Sequence, residues 1–189
     1  MSGFFLHLLR HGAPETPGLL LGRTDATPTP DGIVACADQV EDLAFDTILS
    51  SDLARAERTA EAIGSARGLT VTRDPRWREL DFGAWDGLAP AAIAQAEMGR
   101  FWNDPDRYPP PGGERWSALL ARVTAALDDL PARDTLVVTH GGAIRAALAG
   151  LFGFDQRQLW SFDLPYCALL SLCVWPGAPR SAQIVGLWP

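Results

Sequence analysis

Phe4-Phe5-Leu6-His7-Leu8-Leu9-Arg10-His11-Gly12-Ala13 is the stretch whose reading decides the fold. Phe4, Phe5, Leu6, Leu8 and Leu9 form an apolar run that reads as a strand buried on both faces, as in a parallel sheet. Gly12 ends the run, so Arg10 and His11 fall where strand gives way to loop. In open α/β sheets, ligands bind outside that carboxyl end. A guanidinium and an imidazole there suit an anion beside a nucleophile or an acid–base group. Taken alone, such a histidine is more readily a structural one that hydrogen-bonds its own loop. Which of the two it is depends on what the other strands bring to the same edge.

Working outward, strand-like and helix-like patterns alternate. Residues 14–30 are rich in Gly, Pro and Thr, a loop that carries Gly22-Arg23-Thr24-Asp25. A helix is expected over about 31–44, capped by Asp31, with Ile33, Val34, Ala37, Val40 and Leu43 along one side. Thr47-Ile48-Leu49-Ser50 reads as a short buried strand. Ser51 and Asp52 offer an N-cap for a helix to about Ala66, which Gly68 ends, and residues 69–72 read as a third strand. This β-α-β-α-β order predicts a parallel sheet with right-handed crossovers.

Residues 77–116 interrupt the rhythm with Trp77, Trp85, Trp102 and Trp116, a short helical patch at 89–97 and Pro109-Pro110-Pro111-Gly112-Gly113. So long an excursion reads as an inserted lid or binding region at about 84–116, or as a surface flap that Trp and Pro rigidify. A helix near 114–130, the strand Thr135-Leu136-Val137-Val138-Thr139, then His140-Gly141-Gly142 and a helix over about 143–151 restore regularity. Residues 168–175 and 183–188 read as a hairpin at one sheet edge, a surface able to support a homodimer. The expected architecture is α/β: one domain over 1–189, a three-layer sandwich with a mostly parallel central sheet and helices on both faces.

Composition narrows the function classes. A chain of 189 residues with 47% hydrophobic and 21% charged residues is long enough and apolar enough for a substantial core. A net charge of −7 disfavours nucleic acid as a partner. No apolar run approaches the roughly 18 residues of a membrane span. Residues 1–10, broken by His7 and Arg10, do not make a secretory signal, so a cytoplasmic location is expected. All 16 basic residues are arginine, which removes Walker-lysine and Schiff-base chemistry and leaves the planar guanidinium as the fixed cation for an anionic ligand. Cys36, Cys167 and Cys173 lack Cys-x-x-Cys spacing and read as reduced thiols. With three histidines, His7, His11 and His140, and no H-E-x-x-H pattern, neither a metal nor another cofactor is expected.

Four stretches converge. His11-Gly12 and His140-Gly141 both end predicted strands that share one edge. Ser51-Asp52-Leu53-Ala54-Arg55 runs from a strand end into a helix whose N-terminal N–H groups suit an anion, with Arg55 in its first turns. Arg58 reads as a surface residue. Arg78-Glu79-Leu80-Asp81-Phe82-Gly83-Ala84-Trp85-Asp86-Gly87 follows the third strand and carries the carboxylates. This set, in this order, resembles the histidine phosphatase superfamily, also called phosphoglycerate mutase-like. The resemblance implies that His11 accepts a phosphoryl group, that Arg10, Gly12, Arg55 and His140 bind its oxygens, and that Glu79 is the proton donor. His140 then counts among the catalytic groups as well, and Arg23 reaches the substrate. The chemistry is coherent without a metal: phosphoryl transfer requires positioning and neutralisation of charge on the equatorial oxygens. The attacking nitrogen of His11 must be unprotonated, so the other nitrogen is expected to donate to a backbone carbonyl near Gly12. Asp81 and Asp86 are chemical rivals to Glu79, read as residues that orient the loop, and His7 is read as structural.

Within the superfamily, Glu79-Leu80-Asp81-Phe82-Gly83 resembles the phosphatase branch rather than the mutase branch. Phe101-Trp102-Asn103-Asp104-Pro105 followed by Pro110-Pro111-Gly112-Gly113-Glu114 is similar to α-ribazole-5′-phosphate phosphatases of cobalamin assembly. Arg115 departs from the serine usual there, and Pro28-Thr29 departs as well. That resemblance implies Trp85, Trp102 and Glu114 as substrate contacts. The alternatives are a phosphoglycerate mutase, a broad sugar-phosphate phosphatase, or a non-catalytic module that binds a small phosphorylated metabolite.

Overall fold

The computed structural model describes residues 3–189. A six-stranded sheet in the order β3-β2-β4-β1-β5-β6 forms its centre. The strands are β1 (Phe4–Arg10), β2 (Thr47–Ser50), β3 (Val71–Arg73), β4 (Thr135–Thr139), β5 (Leu169–Trp175) and β6 (Ser181–Trp188). β1, β4, β2 and β3 are mutually parallel, whereas β5 and β6 form the antiparallel hairpin expected at the edge. The chain leaves β1 toward β2 and leaves β4 toward β5, so the order reverses between β1 and β4. Arg10 pairs with Thr139 in that register, and the His11 N–H donates to the Thr139 carbonyl at 2.9 Å. The two strand-end histidines therefore meet at the crevice where a doubly wound sheet binds its ligand.

Helices cover both faces, as expected. On one face α1 (Pro30–Gln39) and α2 (Ala54–Arg67) set Cys36, Ala56, Ala60 and Ile63 over Leu9, Ile48, Leu136 and Val138. On the other, α4 (Trp116–Asp128) and α5 (Gly141–Phe152) set Leu119, Val123, Ile144 and Leu148 over Leu6, Leu8, Val137 and Leu170. Leu136 and Val138 face one way and Val137 the other, the period of two that puts both faces of β4 in a core. β1 obeys the same rule with one exception. Phe5, expected inside, is 44% exposed, at the start of β1 before its pairing with β4 begins at Leu6.

Several boundaries differ from the sequence reading for local reasons. α1 is capped by the Thr29 side chain, which accepts from the Gly32 N–H at 3.0 Å, rather than by Asp31. It stops at Gln39, not near residue 44, because the Arg67 guanidinium takes the carbonyls of Val40, Glu41 and Leu43. Val34 is consequently exposed, and Gly32 and Cys36 face the core. Neither Ser51 nor Asp52 caps α2. The first helical N–H, that of Ala54, donates instead to Asp25 at 2.6 Å, and Gly68 ends the helix in the left-handed conformation. β3 lies at Val71–Arg73, later than 69–72.

The insertion at 84–116 is a packed wall. Its helix, α3, spans Gln95–Asn103 rather than 89–97. Trp85, Ile93, Met98 and Phe101 are buried in the main core, and Trp77 is wholly enclosed. Its two ends are bound together: the Ala84 N–H donates to Pro111 at 2.8 Å and the Glu114 N–H to Asp81 at 2.9 Å. Gly113 permits that closure, since a Cβ there would stand 2.4 Å from the Asp81 carbonyl. A short helix missed in the sequence, α6 (Gln156–Trp160), follows α5 and carries an Asp155–Gln158 capping box.

Candidate active site

His11 lies past the end of β1, almost fully buried, with its Nδ1 2.7 Å from the Gly12 carbonyl. A carbonyl only accepts, so Nδ1 carries the proton and Nε2 keeps its lone pair. Burial, reinforced by the Arg55 and Arg10 charges, holds the His11 pKa well below that of a free imidazole, so the ring is neutral at pH 7. Gly12, expected to touch phosphate, thus orients the imidazole through its carbonyl. A Cβ at this position would meet the Gly32 carbonyl at 2.3 Å.

His140 is the N-cap of α5, its ring centroid 5.0 Å from that of His11. Its Nε2 is 2.8 Å from the Ser51 hydroxyl, and its buried Nδ1 has no protein partner. Burial lowers its pKa also, again with Arg55 and the neighbouring charges adding to the effect. Arg55 is completely buried. Three of its five N–H donors hold the first loop, through the carbonyls of Thr24 (2.8 Å), Leu21 (2.7 Å) and Gly22 (3.1 Å), while Nε is unpartnered. Arg10 donates through Nη1 to the Leu164 carbonyl, stacks 4.3 Å from the Tyr166 ring centroid and likewise leaves Nε without an acceptor.

Glu79 faces this group. Its Oε1 accepts from the Leu80 N–H at 2.8 Å and its Oε2 from the Gly142 N–H at 3.1 Å, so the start of α5 positions both His140 and this carboxyl. The rival carboxylates are committed elsewhere. Asp86 accepts from the backbone of Gly22, Arg23 and Thr24 at 2.8–3.0 Å. Asp81 accepts from Gly83 and pairs with Arg23 at 3.1 Å. Both order the loops, as the sequence suggested. Arg23 stands at the rim, with its side chain 41% exposed. Arg58 is on the surface, and His7 is bound to Ser171.

Two adjoining cavities open here. The smaller, about 110 Å³, is lined by His11, Arg10, Glu79 and Tyr166. The second, about 120 Å³, shares Arg10, Glu79 and Phe82 and extends between Phe101, Trp102 and Trp160. Trp102 is on its wall, edge-on to Trp160 at 4.6 Å. Two expected substrate contacts stand apart from it. Trp85 is buried edge-on against Phe101. The Glu114 carboxylate is consumed by Arg122, at 2.8 Å through both oxygens. Among the described residues, no three His, Cys, Asp or Glu side chains converge to hold a metal, and no helix is long and apolar enough to cross a membrane.

Four residues of this region went unnoticed in the sequence: Arg122, Arg145, Gln156 and Tyr166. Arg145 had a usable signal. It lies four residues after Gly141, on the same face of the helix that begins at the strand-end histidine. Tyr166, which packs 5.6 Å from His11 between ring centroids, carries none, because only the path of the chain from α6 to β5 brings it there.

The same assembly recurs in known proteins. The pattern of the histidine phosphatase superfamily, branch 1, matches residues 6–185. A Hydrogenobacter thermophilus protein assigned as a phosphoserine phosphatase is 31% identical over 170 residues, 84% of each chain. A Yersinia pestis protein named as a probable phosphoglycerate mutase is 32% identical over 176 residues, 87% of this chain and 82% of that one. Among solved structures, one from Escherichia coli assigned as an α-ribazole-5′-phosphate phosphatase superposes with a TM-score of 0.85 at 25% identity, covering 100% and 97% of the two chains. A mycobacterial glucosyl-3-phosphoglycerate phosphatase gives 0.84 at 26% identity, covering 98% of each. A match that runs from β1 into β6 takes in every strand and helix that builds the crevice between His11 and His140: the chain belongs to the histidine phosphatase superfamily, branch 1.

Proposed function

We propose that the protein is a metal-independent phosphomonoesterase that works through a phosphohistidine at His11 on a small phosphorylated metabolite. One observation carries the reading. A buried neutral imidazole with a free Nε2 is surrounded by buried donors that lack protein acceptors: Arg10 Nε, Arg55 Nε and His140 Nδ1. Such donors are costly to bury unless a ligand oxygen satisfies them, and a phosphoryl group brings three.

In this reading His11 Nε2 attacks phosphorus and the ester P–O bond breaks. The leaving oxygen takes the proton of the Glu79 carboxyl. Water then attacks the phosphohistidine, its proton passes to the Glu79 carboxylate, and the N–P bond breaks to release phosphate. The arginines supply the charge neutralisation that such a transition state needs. The Ser51 hydroxyl accepts from the Leu53 N–H at 3.3 Å and so has its proton free for His140 Nε2, which leaves His140 Nδ1–H for the phosphate. Three free thiols accord with a cytoplasmic, reducing location.

The aromatic wall at Phe101 and Trp102, with the likeness to the E. coli structure, supports α-ribazole 5′-phosphate of cobalamin biosynthesis as one substrate of this class. The likeness to the Yersinia protein favours a second reading, return of the phosphoryl group to a hydroxy acid. Formation of 2-phosphoglycerate from 3-phosphoglycerate, followed against free phosphate, separates the two. For the hydrolase itself, His11→Ala should abolish phosphate release, and quenched wild-type enzyme should carry an acid-labile, alkali-stable phosphate on His11. Full activity in His11→Ala, or activity lost to EDTA, overturns the scheme.

A further inference from the structure

We propose that Arg145 and Gln156 form a carboxylate subsite for the leaving group, which makes phosphomonoesters of small hydroxy acids the preferred substrates. The inference rests on the reading above, in which the His11 cavity holds the transferred phosphate. The second cavity then receives the rest of the ester, because the two share Arg10 and Glu79, the groups that meet the scissile bond.

Three residues that line this second cavity each carry a buried nitrogen with no protein acceptor: Arg10 Nε, Arg145 Nε and Gln156 Nε2. Arg10 belongs to the phosphate in the reading above, so two donors are left for the leaving group. Arg145 is fixed in place. Its guanidinium lies 4.7 Å from the Trp160 ring centroid, with Nη2 donating to the Phe162 carbonyl at 3.1 Å and Nη1 to Gly141 at 3.4 Å. These partners are neutral, so they leave the charge uncompensated. Glu79 and Asp163 are the acids that act on it, and neither pairs with it directly. Arg145 is also adjacent to Arg10: a Cβ on Gly141 would touch Arg145 Nη1 at 3.3 Å and Arg10 Nε at 3.7 Å.

Two guanidiniums side by side call for two anionic groups on one small molecule. A planar carboxylate beside the phosphate matches the guanidinium fork, and its second oxygen suits the Gln156 amide. Size points the same way. About 120 Å³ is near that of an engineered cavity that takes up benzene, so it accommodates on the order of six heavy atoms. A short hydroxy acid fits within that room.

The matched pair 3-phosphoglycerate and glycerol 3-phosphate, which differ only in carboxylate against hydroxymethyl, tests the proposal. Wild-type enzyme should favour the acid in kcat/KM by about tenfold to a hundredfold, the worth of a charge-assisted hydrogen bond, chiefly through KM. Arg145→Gln should collapse that ratio toward one, Arg145→Lys should keep part of it, and Gln156→Leu should reduce it. A loss of packing alone would slow both esters alike and leave the ratio standing. The wild-type ratio is informative whether or not the variants fold. A ratio near one with p-nitrophenyl phosphate still hydrolysed through His11 overturns this subsite alone, as does a preference that survives Arg145→Gln or α-ribazole phosphate outrunning 3-phosphoglycerate. Failure to hydrolyse any of these esters overturns the hydrolase reading and this one with it.

Discussion

Replacing Arg122 by methionine removes a guanidinium whose five N–H donors are all in use. It holds the carbonyls of Arg76 (2.8 Å), Arg78 (2.7 Å) and Glu79 (2.9 Å) and both oxygens of Glu114 at 2.8 Å. The pair is largely enclosed, with side chains 18% and 12% exposed. Breaking such a pair leaves an unpaired buried carboxylate and costs about 3–5 kcal/mol. For a domain of this size that corresponds to a fall in Tm of roughly 6–20 °C. Glu114→Gln removes the charge that Arg122→Met would strand, so the double variant should lose less than the sum of the single losses by at least about 1 kcal/mol. Urea unfolding of the four proteins measures this. Because Arg122 also grips the Glu79 carbonyl, kcat for a phosphorylated alkyl alcohol should fall further than kcat for p-nitrophenyl phosphate, whose leaving group scarcely needs a proton. Additive losses within about 0.5 kcal/mol would refute the coupling of Arg122 to Glu114, and two kcat values that fall together would refute the proposal that Arg122 positions Glu79 as the acid.

Other outcomes follow from single contacts. Glu79→Gln should slow esters with poor leaving groups by about 10²–10⁴-fold and p-nitrophenyl phosphate far less; equal slowing would move the acid role to another group. Gly142→Ala should fold yet lose most activity, since its Cβ would fall 2.0 Å from Glu79 Oε1 and displace the carboxyl; unchanged kcat would mean that the carboxyl is not held where the start of α5 places it. The depressed pKa values of His11 and His140 make stability depend on pH. Below about pH 6.5 the unfolded chain takes up protons that the folded chain refuses. Stability should therefore be full above that pH and fall as pH drops through it, by up to about 1.4 kcal/mol per pH unit for each histidine. Equal urea midpoints at pH 7 and pH 5.5 would contradict the burial of two neutral imidazoles.

Much of the site was legible in the sequence because its anchors are local. Arg10-His11-Gly12 and His140-Gly141 follow apolar runs, and a strand that runs into His-Gly places its histidine at the sheet edge whatever surrounds it. Periodicity likewise gave the layers, since Val137 and its neighbours alternate between two cores. Glu114 and Trp85 were assigned to substrate by motif, and the structure spends one on Arg122 and the other on Phe101, because neighbours distant in the chain compete for the same side chains.

The sequence by itself therefore determined the α/β architecture, the edge that carries the chemistry and the family, all properties of short patterns read in order. The tertiary structure alone decided which nitrogen of His11 is free, which donors are left without acceptors and where the two cavities beside His11 lie. Those depend on hydrogen bonds and burial between residues far apart in the chain. The Gly12 carbonyl, the Leu164 and Phe162 carbonyls and the packed wall at 84–116 saturate some donors and leave a buried nitrogen of each of Arg10, Arg55, His140, Arg145 and Gln156 without a protein acceptor.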